Sequence, residues 1–126
     1  MVKLMYLLRR RPGMSREEFR EYWEHRHAVT GGARRAAIRS VRYVQNHRID
    51  TPLDDLWRTG RSQEEPFDGV VESWFESIDA LQDATSSAAG RAALVAALED
   101  EARFIDLERS MIFMVEEVEF PGTEPR

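Results

Sequence analysis

The sequence contains no cysteine, which excludes a disulfide framework, a thiolate nucleophile and Cys-ligated zinc or iron–sulfur centres. It has no stretch near the roughly 18 apolar residues that a membrane span needs. The opening Met1-Val2-Lys3-Leu4-Met5-Tyr6-Leu7-Leu8 also lacks a small-residue cleavage site. The expectations are therefore a cytoplasmic protein and no membrane partner. No Gly-x-Gly-x-x-Gly follows the first apolar run, and neither a Walker loop nor a Gly-x-Ser-x-Gly is present. Nucleotide cofactors and serine-hydrolase chemistry lose their usual supports. No His-x-x-x-His pair occurs, so neither a metal nor any other cofactor is expected.

A charge of one sign is also scarce where nucleic acid would need it. The net charge is −5, against the basic surface that phosphate binding requires. Arg34, Arg35, Arg39, Arg42 and Arg48 give one stretch a basic bias. No base-stacking pattern of aromatics accompanies them, and they read as a solvated basic face.

What is present fits one globular domain. The 126 residues are 42% hydrophobic and 33% charged, enough for one modest core. Residues 1–120 are read as that domain and 121–126 as a flexible tail.

Val2 to Arg9 is apolar and ends in Arg10-Arg11-Pro12-Gly13, a strand followed by a turn. Ser15 with Glu18 three residues on has capping-box spacing and starts a helix. Phe19, Tyr22, Trp23 and His27 recur there at spacings of three and four and share one face. Thr30-Gly31-Gly32 is expected to end it, because glycine suits a left-handed cap. Val41–Ile49 reads as a second strand, and Thr51–Pro66 as a connection with a short helix around Leu53, Leu56 and Trp57. Phe67–Phe75 is the third strand. Ser77–Phe104 is helical, with a break near Ser86-Ser87 and Gly90, and Met111–Phe120 is the last strand. The order βαββαβ predicts an α+β, ferredoxin-like fold with an antiparallel sheet covered by helices on one face.

The uncovered face of such a sheet should turn polar, yet both faces of the outer elements are apolar. Val2, Leu4, Tyr6 and Leu8 oppose Met5 and Leu7, and Met111, Phe113 and Val115 oppose Ile112 and Met114. Leaving several such side chains wet forgoes about 1.5–3 kcal/mol each. A homodimer with sheets face to face follows.

Residues equipped for proton transfer fall on these elements. His27 lies four residues after Trp23, on the inward stripe, while His25 is turned away. An isolated histidine at a core edge is more often structural, held by one hydrogen bond. His47 shares a strand face with Tyr43 and Gln45. Glu72 lies beside Trp74, and a carboxylate among apolar neighbours needs a partner, either an arginine or a catalytic group. If one cavity collects His27, His47, Tyr43 and Glu72, it holds the groups for acid/base work near neutral pH.

The segments Val2-Lys3-Leu4 to Pro12-Gly13, Tyr22-Trp23 with His27, Tyr43-Val44-Gln45-Asn46-His47, Phe67-Asp68-Gly69-Val70-Val71-Glu72-Ser73-Trp74-Phe75 and Asp100-Glu101-Ala102-Arg103-Phe104-Ile105-Asp106 resemble, in order, the blocks of EthD-domain proteins. The resemblance implies a dimeric α/β barrel, two ferredoxin-like sheets facing each other. It also implies kinship with cofactor-free cyclases, isomerases, decarboxylases and monooxygenases that act on small, often aromatic, polyketide- or lactone-like molecules. Many members have His-Gly-Pro after the first helix, where this chain has His27-Ala28-Val29. On this resemblance the chain is a lyase, isomerase or cyclase. His27 is its base or acid, His47 and Tyr43 share or orient the proton, and Glu72 sets the histidine tautomer. Tyr22, Trp23, Trp74 and Phe104 wall the pocket. A non-catalytic binder of a small hydrophobic metabolite and a cofactor-free monooxygenase are the alternatives.

Overall fold

A computed structural model describes residues 1–61 and 64–122. Most of the expected tail, residues 123–126, lies outside them, as do residues 62 and 63 of the long connection. The chain order is β1 (Val2–Leu8), α1 (Arg16–Tyr22), a wider turn (Trp23–His27), α2 (Ala28–Thr30), α3 (Gly32–Ala37), β2 (Arg42–His47), α4 (Leu53–Arg58), β3 (Gly69–Phe75), α5 (Ile78–Ser86), α6 (Ala88–Glu101) and β4 (Met111–Val115). The four strands form one sheet in the order β2-β3-β1-β4, with every pairing antiparallel. This is the α+β, ferredoxin-like arrangement expected from the strand and helix pattern.

Register explains where the strands stop. Lys3 pairs with Val115, so β4 exhausts its neighbour one residue later and does not continue to Phe120. In the same way Arg42 pairs with Trp74 and His47 with Gly69, and β2 spans only what β3 offers. β3 itself begins after Asp68, whose amide donates to the Leu8 carbonyl and whose carboxylate takes two hydrogen bonds from Arg10, at 2.8 and 2.6 Å. That pair ties the β1–α1 turn to the start of β3.

The Ser15 cap forms as expected, with Ser15 and Glu18 each accepting from the other's amide. Past Tyr22 the helix widens for one turn: the amide of Ala28 donates to Trp23, one residue farther back than in an α-helix. Such π-turns occur often at functional sites, and this one carries His27. The glycine pair does not stop the helix. Gly31 is right-handed, at φ −84°, and its carbonyl accepts from Arg35 to start α3. What the pair provides is room, because a Cβ on Gly31 would sit 2.9 Å from the His27 carbonyl oxygen.

Phe19, Trp23, Phe104, Leu8, Val71 and Ile105 make the core between helices and sheet. Phe19 stacks at tilted angles on Trp23 (5.5 Å between centroids) and on Phe104 (5.6 Å). Gly69 makes this possible, since a Cβ there would lie 2.3 Å from the Trp23 indole. Gly69→Ala is accordingly expected to cost about 1–3 kcal/mol, the usual price of overpacking a core, measurable by urea denaturation.

The sheet's other face carries Lys3, Met5 and Leu7 of β1, Val70, Glu72 and Trp74 of β3, Val44 of β2, and Met111 and Phe113 of β4. Met111 and Phe113 remain 59% and 43% exposed. Apolar side chains are thus left open on a face that no helix among the described residues covers. Among the described residues, no helix is long and apolar enough to cross a membrane.

Candidate active site

The wider turn after α1, the segment α3, and the last turn of α6 meet over the helix-facing side of β1, β2 and β3. Between them is a cavity of about 160 Å³. Tyr6, Leu8, Val71, Leu94, Phe104 and Ile112 supply apolar wall, and the chemically active groups on it are His27, Tyr43, Arg35 and Glu101. A smaller hollow of about 90 Å³ adjoins it and also has His27, Arg35 and Tyr43 on its wall.

His27 is held by a residue the sequence reading passed over. Its Nδ1 lies 2.5 Å from Oδ2 of Asp100, near the end of α6. Oδ1 of the same carboxylate accepts from the Tyr22 hydroxyl at 2.5 Å and from Arg103 at 3.1 Å, and Arg34 stands 3.6 Å from Oδ2. Burial alone would push the Asp100 carboxyl up. The hydrogen bonds from Tyr22 and His27 overcome it and hold the group below the ordinary aspartate range. His27 is shifted down, first by burial and then by the Arg34 and Arg35 charges, against the pull of Asp100. Both directions favour an ionised Asp100 beside a neutral imidazole. With that pairing the Nδ1–H donates to Asp100, and Nε2 is the nitrogen left to accept a proton. Phe104, 5.0 Å from the His27 ring centre, closes the apolar side.

Glu101, the next residue, belongs to the cavity wall itself. Burial raises its carboxyl above the ordinary range, while a hydrogen bond from Tyr6 and the charge of Arg34 work against the rise. Burial likewise raises Tyr6. A carboxyl whose folded pKa is raised holds its proton more tightly folded than unfolded. Its contribution to stability is complete below the unfolded glutamate range and is lost as pH climbs through the folded value. Glu101→Gln copies the protonated form, so the variant is expected to gain melting temperature over wild type at pH 8 and to lose that advantage at pH 4, which calorimetry reads directly.

Tyr43 is on the wall as expected, and Arg35 lies over its ring at 4.4 Å. Its oxygen accepts from the Gln45 amide at 3.0 Å, which leaves the Tyr43 proton free to be donated elsewhere. Gln45 also accepts at 2.9 Å from Nε2 of His47. His47 itself does not reach the cavity. It packs against the Trp23 ring at 4.5 Å and faces a separate cleft with Arg16, Arg20 and Asp50. Burial first, and then Arg20, shift it down.

Glu72 and Trp74 lie on the opposite side of the sheet. Glu72 accepts from Lys3 at 2.6 Å and from Asn46 at 2.9 Å, and the Lys3 bond leads in holding its carboxyl low. Trp74 lies under Lys3 and Arg42. The expected meeting of Glu72 with His27 does not occur, because Val70, Glu72 and Trp74 alternate away from the helices. Arg34 and Arg35, read as a solvated face, instead turn inward: Arg35 donates to the Ala28 carbonyl at 2.9 Å. Tyr22, Trp23 and Phe104 do stand around His27. Asp100 lies in the last turn of α6, and no spacing pattern in the sequence paired it with His27. Among the described residues, no three histidine, aspartate or glutamate side chains come together as a metal site.

The family model of the EthD domain matches residues 11–108. An EthD-family protein from Bacillus halodurans C-125 superposes with a TM-score of 0.62 at 20% identity, covering 94% of this chain and 99% of its own. An EthD-like protein from Ralstonia eutropha JMP134 gives 0.59 at 14% identity, covering 91% and 89%. The Arabidopsis thaliana protein At3g17210 gives 0.56 at 15% identity, covering 96% and 99%. At these identities the likeness is one of fold. No curated protein matches the chain.

Proposed function

The chain belongs to the EthD-domain family, and from that premise we propose that it is a cofactor-independent enzyme, a lyase, isomerase or cyclase, acting on a small hydrophobic or aromatic metabolite by proton transfer. The observation that carries this reading is His27 on the wall of an apolar cavity with its Nδ1 2.5 Å from the Asp100 carboxylate. A carboxylate holding Nδ1–H raises the proton affinity of the free Nε2 and stabilises the imidazolium it becomes. Tyr22 and Arg103 in turn hold the carboxylate. Tyr43 offers the reacting oxygen a proton, with Gln45 and His47 supporting it from behind.

With a compound the protein turns over, His27→Gln is expected to lower kcat by at least about 100-fold, the usual weight of a general base, with binding retained. Full turnover by that variant would remove His27 from the mechanism. Because burial lowers His27, the rate should reach its plateau at a pH below the ordinary histidine range. Oxygen consumed in step with product would move the protein to the monooxygenase class, and tight binding without turnover to the non-catalytic one.

The active form in this reading is a homodimer. The open face of the sheet presents Met5, Leu7, Val44, Val70, Met111 and Phe113 around the Lys3–Glu72 pair, and a second copy provides the apolar cover it lacks. Phe113→Asp, at a position 43% exposed in one chain, is expected to give a folded monomer in sedimentation, against a dimer for the parent. A monomeric parent at micromolar concentration would remove the dimer.

A further inference from the structure

We propose that Glu101 is a second catalytic group, a general acid opposite the base, and that the substrate is a carbonyl compound about one six-membered ring in size. The inference rests on reading His27 as the base, and adds to it an acid and a substrate class.

Three observations carry it. His27 and Glu101 lie on the wall of the same cavity, one from the turn after α1 and one from the end of α6. Asp100 and Glu101 are adjacent, yet the first is committed to His27, Tyr22 and Arg103, whereas the second faces the cavity beside Tyr6. The volume, about 160 Å³, is close to the roughly 150 Å³ of an apolar cavity that takes one benzene ring. It is well below the 300–1,000 Å³ of pockets for larger ligands.

The surroundings suit an acid. Tyr6 of β1 shares the cavity wall with Glu101, and the other charged or titratable groups around it include Arg34 and Arg35 of α3, His27, Tyr43, and Asp100 on its own helix. Burial together with the Asp100 charge favours the protonated carboxyl, and Arg34 and the Tyr6 bond oppose it. Two titratable groups driven in opposite directions in one cavity is how a single site holds an acid and a base together.

The step balances without another reactant. Nε2 of His27 takes the proton from the carbon next to the carbonyl. The C–H electron pair becomes a carbon–carbon double bond, and the carbonyl oxygen takes the Glu101 proton. The products are an enol, a Glu101 carboxylate and a His27 imidazolium. Return of the imidazolium proton to the far end of a conjugated enol, with return of the O–H proton to Glu101, completes an isomerisation and resets both groups. Tyr43, also on the wall, supplies a hydrogen bond to the same oxygen.

The test uses cyclohex-3-enone, a one-ring ketone, and follows its conversion to cyclohex-2-enone. Phenol, of the same size and with its oxygen where the enol's would be, reports binding by thermal shift. The full chain is expected to convert the ketone, His27→Gln to lose at least about 100-fold, and Glu101→Gln to lose roughly 100-fold while still binding phenol. Glu101→Asp should recover part of the rate, which a packing role alone would not provide. If Glu101→Gln converts at the full rate while His27→Gln is inactive, the acid assignment falls and the base stands. Full rates in both variants overturn both readings. Absence of conversion by the parent chain overturns the proposed substrate class.

Discussion

Asp100→Asn should cut the proton-transfer rate by roughly 10²–10⁴-fold, the range seen when the acidic partner of a catalytic histidine is made neutral, while leaving the chain folded. Asparagine keeps the size of the side chain and can still accept from Tyr22. It offers Nδ1 either an amide oxygen or an amide hydrogen, and the second choice pulls the imidazole into the tautomer whose Nε2 carries the proton. The base is then occupied before substrate arrives. Arg34 and Arg103, which pair with the carboxylate now, would face a neutral group, and Arg34 with Arg35 would depress His27 further. Circular dichroism establishes the fold and a rate measurement the loss. An unchanged rate in a folded variant would show that His27 needs no orienting carboxylate.

Trp23→Ala should be the most damaging single substitution, at about 3–5 kcal/mol, enough to unfold a domain of ordinary stability. Trp23 is fully buried between Phe19, His47 and Gly69. Its removal opens a cavity where the helices meet the sheet. The indole is held by packing, for its Nε1–H is buried and has no hydrogen-bond partner among the described residues. Trp23→Phe removes that orphan donor along with some volume, and it is expected to cost markedly less than the alanine change. Urea titration of both variants measures the difference, and equal losses would mean that the N–H is satisfied in solution.

The aromatic stripe Phe19–Trp23, the capping box at Ser15 and the four apolar runs each follow a local period or a turn residue, and they place the helix and strands correctly. Strand ends are not local. β4 stops at Val115, which pairs with Lys3, the second residue of β1, and no pattern within Met111–Phe120 reveals that limit. The glycine pair misled for a similar reason: Gly31 answers to the space beside the His27 carbonyl, set by tertiary packing, rather than to a left-handed cap. At the site, period and spacing placed His27 inward and put Tyr43 on one strand face with Gln45 and His47, without saying which side of the sheet that face was. Glu72 was assigned to the site from the cost of burying a carboxylate, but its partner is Lys3 on the same open face, at 2.6 Å. The carboxylate that does serve His27 comes from 73 residues away, and only the packing of α6 over the turn after α1 brings it there. Asp100 and Glu101 lie side by side in sequence, and one helical step gives them different environments and different proton affinities.

The central claim is that His27 is neutral at pH 7 with its proton on Nδ1, bound to Asp100. Long-range ¹H–¹⁵N correlation spectra of the imidazole distinguish the two neutral tautomers and the imidazolium without any substrate. The expected result is a protonated Nδ1 and a bare Nε2 for His27 at pH 7, changing when Asp100 is replaced by asparagine. A His27 that is doubly protonated at pH 7, or that carries its single proton on Nε2, would contradict the account.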